Sequence, residues 1–113
     1  MLYIADVEKL EVLPSSVMPV TIDGREFPGV LAYDRVLPPS VRENQTLEAY
    51  AEHYYTTVLR KATAYTVIQE LHRLADGRAI AFMWSESELS KCQLCVFARW
   101  LSNNGYIVKG YVA

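Results

Sequence analysis

Apolar positions along this chain alternate between the period of a strand and that of a helix, and the alternation predicts the architecture. Leu2-Tyr3-Ile4-Ala5 is a short apolar run of strand type. The segment 6–28 is punctuated by Pro14, Pro19, Gly24 and Pro28, with a strand predicted at Val17–Ile22 that turns at Asp23-Gly24. Gly29–Tyr33 gives a further strand, mostly apolar and so expected to be covered on both faces, and Pro38-Pro39 forbids a helix before Ser40. Over Thr46–Lys61 the residues Leu47, Tyr50, Ala51, Tyr54, Tyr55, Val58 and Leu59 fall on one helical face, with Thr46 as N-cap. A second helix is predicted from Thr63 to Asp76, with Tyr65, Ile68, Leu71, Leu74 and Ala75 inward and Gly77 as its C′ residue. Arg78–Trp84 reads as a strand, a helix follows from near Ser90 to Gly105, and Tyr106–Val112 is the last strand.

Strands separated by helices imply an α/β fold, three-layered, with a mostly parallel sheet of four to five strands and helices on both faces. Val30, Leu31, Ala32, Ile80, Phe82, Ile107 and Val108 are predicted among its buried strand residues. At 113 residues the chain is read as a single domain, and 51% apolar with 21% charged residues is the composition of an ordinary globule.

Charge narrows the partners. The formal net charge is −2 and the lysines and arginines are scattered, with Arg60-Lys61 the adjacent pair, so nucleic acid is excluded as a default partner. No apolar run reaches the roughly 20 residues of a membrane span. Asp6 and Glu8 interrupt Met1–Lys9 where a signal peptide needs its apolar core. Two cysteines only three positions apart do not staple a secreted fold, which points to a reducing, cytoplasmic setting.

Candidate chemistry concentrates between Ala79 and Gly105, where a strand, an acidic turn and a helix follow in order. Helix N-termini present unpaired N–H groups and favour anions and thiolates. Cys92-Gln93-Leu94-Cys95 is a C-x-x-C at that helix start, the placement redox enzymes use. A thioredoxin-like order is a poor match, since only one strand follows the motif and no proline follows Pro39; Cys95 is read as a small buried hydrophobe. A zinc site lacks ligands, because His53 and His72 lie in distant helices. Ser90 and Gln93 have the spacing of a capping box. Glu88 is read as part of a solvated acidic turn. Asp34 and Arg35 end a different strand, so a parallel sheet brings them to the same rim as Glu86 and Cys92; the plainer alternative for Arg35 is a surface salt bridge.

From Thr46 onward the sequence resembles the domain-of-unknown-function 488 family, small proteins of bacteria, archaea and phages. The helices at Thr46–Lys61 and Tyr65–Asp76, the strand at Ala79–Trp84 and the helix Cys92–Leu101 with its Trp-Leu match that family's order without gaps. Glu86 falls on the family's motif Glu and Cys92 on its second Cys. Asp34–Pro39 is similar to its acidic-basic-proline segment. Trp84 stands in place of the first motif Cys, Gln93 of the His and Leu94 of the Arg, which removes the evident base and anion clamp. The resemblance therefore implies a non-catalytic binding protein that needs no cofactor or metal. It would hold a small polar or anionic ligand, or a protein partner, at Asp34, Arg35, Trp84, Glu86 and Cys92, with a host-directed role as the phage variant. The alternative is a thiol-dependent or redox enzyme using Cys92. A twofold homodimer is expected if Trp84, Trp100 and the tyrosines of the first helix leave apolar surface exposed.

Overall fold

Backbone hydrogen bonding in the computed structural model joins five strands into one sheet in which every pairing is parallel. The structure describes residues 1–40, 44–84 and 88–111, with the side chains of 88–92 outside that description. The strands are β1 (Leu2–Asp6), β2 (Val17–Thr21), β3 (Leu31–Ala32), β4 (Ala79–Trp84) and β5 (Val108–Gly110). They lie in the order β3-β2-β4-β1-β5, so β4 is central and bonds both β1 and β2. The helices are α1 (Leu47–Thr57), α2 (Ala64–Ala75) and α3 (Glu88–Asn103), with 3-10 helices at Val7–Val12 and Leu59–Lys61. The α/β class and the five-stranded parallel sheet are those the sequence predicts.

Strand alternation sorts the core into two faces. Leu2, Met18, Val20, Ile80 and Phe82 point to one side and form a single cluster with buried residues of all of α1, α2 and α3. Phe82 meets Phe97 of α3 edge-to-face at 5.0 Å between ring centroids, and full burial of each such side chain stabilises by roughly 1.5–3 kcal/mol. The opposite side presents Ala5, Val17, Ala81 and Met83, against which Leu10 and Leu13 pack. The third layer is therefore one 3-10 helix and its flanking turn, and the alanines at Ala5 and Ala81 let so slight a cover close over the sheet.

Local chemistry sets the element ends. Thr46 Oγ1 accepts from Ala49 N–H at 3.1 Å, the expected N-cap of α1. The helix stops at Thr57 because the hydroxyls of Thr56 and Thr57 bond back to the carbonyls of Glu52 and His53, and the β-branched Val58 turns off at φ −125°. Its continuation to Lys61 is a separate 3-10 turn. α2 ends as predicted, with Asp76 at φ 50° and Gly77 at φ 86°.

Several expectations give way. The buried arc of α2 runs through Ala64, Val67, Ile68, Leu71 and Ala75, which leaves Tyr65 64% and Leu74 47% exposed on the other flank. β3 is a two-residue edge strand, so Ala32 is exposed and Val30 and Leu31 only half-buried. Its pairing reaches only Val20 and Thr21 of β2, next to Pro19, which has no N–H to offer. Ile107 is 71% exposed and Val108 half-buried, because β5 is the other edge. α3 begins at Glu88, so by backbone Ser90 is a helix-interior residue rather than the N-cap, and the side chain on which the predicted capping box depends lies outside the described residues. An acidic residue in the first turn suits the helix dipole and lets the helix start early.

Candidate functional site

The connections around β4 create a crevice. From the end of β1 the chain leaves through the 3-10 helix Val7–Val12 on one face of the sheet; from the end of β4 it enters α3 on the other. β1 and β4 are neighbours, with Asp6 paired to Trp84 at their C-terminal ends. Adjacent strands whose chains depart to opposite faces define the switch point at which parallel α/β sheets bind ligands. Trp84, predicted as a binding residue, stands at that point.

Two hollows flank Trp84. On the helical side a cavity of about 340 Å³ is bordered by Ile4, Trp84, Leu94 and Cys95. Its described walls are apolar except for the thiol of Cys95, which is free and exposed rather than buried as expected from the sequence. The other hollow holds about 10 Å³, room for little more than one water, among Val7, Thr21, Asp23, Arg25, Phe27, Met83 and Trp84.

A charged loop follows β2 beside that second hollow. Asp23 accepts from the Arg25 N–H at 3.1 Å through Oδ1, and its Oδ2 lies 3.2 Å from Arg25 Nε. Thr21, buried at the strand end, donates its hydroxyl to the Arg25 carbonyl at 2.8 Å. Gly24 at φ 84° makes this tight reversal possible. The guanidinium is thus paired with Asp23 just past the end of β2, one strand from Trp84. In the sequence Asp23-Gly24 reads as a turn signal alone. An acidic and a basic residue two apart, straight after a strand, were the available clue.

The acidic-basic pair singled out from the sequence lies elsewhere. Asp34 and Arg35 follow β3, on the far side of β2 from β4. Arg35 Nε is 3.2 Å from Glu70 Oε1 of α2, and Arg73 approaches the same carboxylate at 3.8 Å. Arg35 is therefore the surface salt-bridge partner that the plainer reading offered, in a groove lined by Tyr33, Lys61, Thr63, Thr66 and Glu70 and apart from the residues around Trp84. Burial, then the hydrogen bond and charge of Glu70, push the Tyr33 phenol well above the ordinary tyrosine range. The loop after Arg35 is pinned by the Tyr54 hydroxyl donating to the Val36 carbonyl at 2.6 Å and by the Tyr50 hydroxyl donating to the Pro39 carbonyl at 2.9 Å.

Glu86 lies outside the described residues, as does the side chain of Cys92. By backbone, Cys92 is the fifth residue of α3, a full turn inside the helix rather than in its first turn. Gln93 is buried. Among the described residues no group of three or more His, Cys, Asp or Glu is arranged to hold a metal ion, and no helix is long and apolar enough to cross a membrane. Of the residues expected to leave apolar surface open, Tyr50, Tyr54 and Trp100 are buried, Trp84 is half-buried and Tyr55 is exposed. No protein-family profile, curated protein or solved structure matches the chain.

Proposed function

We propose that the chain is a non-catalytic binding protein whose ligand is a small molecule with an apolar body and a polar or anionic end, held at the crevice around Trp84. The observation that carries this reading is the cavity of about 340 Å³ at the switch point, walled by Ile4, Trp84, Leu94 and Cys95. Its size falls within the roughly 300–1,000 Å³ of small-molecule sites, and apolar walls with few polar groups are their usual lining. Arg25, paired with Asp23 on the loop after β2, borders the hollow on the other side of Trp84 and is a cation available to the polar end. The resemblance to the domain-of-unknown-function 488 family supports the same location, because its motif positions fall on Trp84 at the end of β4 and on Cys92 in α3. Amide chemical-shift mapping with a panel of small carboxylates and phosphate esters tests the proposal. Shifts should centre on Ile4, Asp23–Arg25, Trp84 and Leu94; shifts centred elsewhere, or none, would reject it.

The exposed Cys95 thiol on the cavity wall supports a second reading, a thiol-dependent enzyme. Alkylation rate against pH separates the two. An apparent thiol pKa near the free value of about 8.5 removes the enzyme reading, whereas one below about 7 supports it.

A further inference from the structure

A hollow of about 560 Å³ lies away from the switch point, between the end of α1, the 3-10 turn Leu59–Lys61 and the outer half of α3. Leu59 and Trp100, both part of the main core, form its floor, and Tyr55, an aromatic ring left half in water, stands at its side. Arg60 comes from the 3-10 turn and Arg99 from α3, so two separate elements each bring a guanidinium to one groove. Neither is within ion-pair distance of a carboxylate among the described residues, although Glu52 lines the same groove. A chain of net charge −2 that gathers two unpaired guanidiniums over an apolar, aromatic floor has made a local exception to its own charge.

We infer that this groove is a second binding site, for a flat apolar molecule bearing one anionic head. The apolar body lies against Leu59, Trp100 and the Tyr55 ring, where area removed from water and ring contact favour it. The head, a carboxylate, sulfonate or phosphate, accepts hydrogen bonds from Arg60 and Arg99, the planar donors suited to such groups. Glu52 sets the limit on charge: with two cations and one anion around it, the groove has a surplus of one positive charge, and a single negative head neutralises it.

The site is independent of the crevice at Trp84, and the protein's two tryptophans allow the two to be separated. The probe is anilinonaphthalene sulfonate, with the uncharged N-phenyl-naphthylamine as its counterpart lacking the sulfonate. In a Trp84→Phe background, with excitation at the red edge where tyrosine does not absorb, Trp100 is the sole energy donor, and binding in the groove should appear as saturable transfer from it to the probe. Arg60→Gln and Arg99→Gln should each weaken the sulfonate probe at least fivefold and leave the uncharged probe unaffected, with Lys9→Gln as the neutral control. Far-ultraviolet circular dichroism and the melting temperature of each variant exclude unfolding as the cause. Equal binding of the two probes, sulfonate affinity unchanged in both arginine variants, or no saturable transfer from Trp100 would each overturn the inference.

Discussion

Tyr54 ties α1 to the loop after β3, and Tyr54→Phe removes that tie without removing the ring. The side chain is fully buried, and its hydroxyl donates to the Val36 carbonyl at 2.6 Å, itself in a residue with no exposed surface. Phenylalanine keeps the edge-on contact with Tyr50, at 6.1 Å between centroids, so almost no packing volume is lost. What changes is the carbonyl, left without a donor and out of reach of water. Leaving one buried polar group unmatched costs about 1–3 kcal/mol, and the greater apolarity of phenylalanine offsets part of it, so a net loss of about 1.5 kcal/mol is expected. At roughly 4 °C per kcal/mol for a domain near this size, the melting temperature should fall by about 6 °C. In urea the midpoint should fall by about 1 M if the slope is about 1.5 kcal/mol/M, with the slope unchanged. Tyr55→Phe, on an exposed ring, is the control and should change neither. A loss below about 0.5 kcal/mol in Tyr54→Phe would mean that the Val36 carbonyl finds another donor and that the hydroxyl does not hold the loop.

Burial also raises the Tyr54 pKa, which gives the same residue a signature in alkali. The unfolded phenol ionises near 10.0 while the folded one keeps its proton, so this contribution is intact below pH 10 and declines above it, by about 1.4 kcal/mol per pH unit. Urea titrations at pH 9 and pH 11 should show a steeper loss in wild type than in Tyr54→Phe; equal losses would refute the assignment. Gly77→Ala should destabilise by about 1 kcal/mol in thermal melts, because φ 86° strains an L-residue even though open space surrounds its Cβ. Asp23→Asn should release the Arg25 side chain, seen as faster reaction of that arginine with phenylglyoxal by peptide mapping; an unchanged rate would show that Asp23 does not restrain it. Leu71→Ala, at a position with no exposed surface, should cost about 2–5 kcal/mol in urea unfolding.

The sequence made the helices and the central strands legible because their signals are periodic and strong. α2 and β4 fall within a residue or two of their predicted bounds, and the caps at Thr46 and Gly77 are where their chemistry places them. Edges were less legible, since an apolar run such as Val30-Leu31-Ala32 does not say whether a neighbouring strand will cover it. Ile107 shows the same blindness at β5. The candidate site was half readable. Trp84 reaches the switch point because β4 is central, whereas Arg35 is drawn off by Glu70 from a helix whose orientation no local pattern encodes. Arg25, the cation that does sit beside β4, was hidden by the proline and glycine punctuation around it. The start of α3 was misplaced because Ser90 and Gln93 have capping spacing, which takes no account of whether the preceding residues already favour helix.

The central place of β4 has a consequence during synthesis. β1 pairs only with β4 and β5, and β2 reaches the rest of the sheet only through β4, which spans residues 79–84. A growing chain can thus form α1 and α2 locally, but no native partner for Leu2–Asp6 exists until residues 79–84 have been made. Pairings so distant in sequence carry the entropy of closing long loops and slow the search for the native sheet. Meanwhile the apolar segments of β1 and β2 wait without their partner strand, the condition in which nascent chains aggregate or engage chaperones. Emergence of residues 79–84 from the ribosome is what supplies that partner.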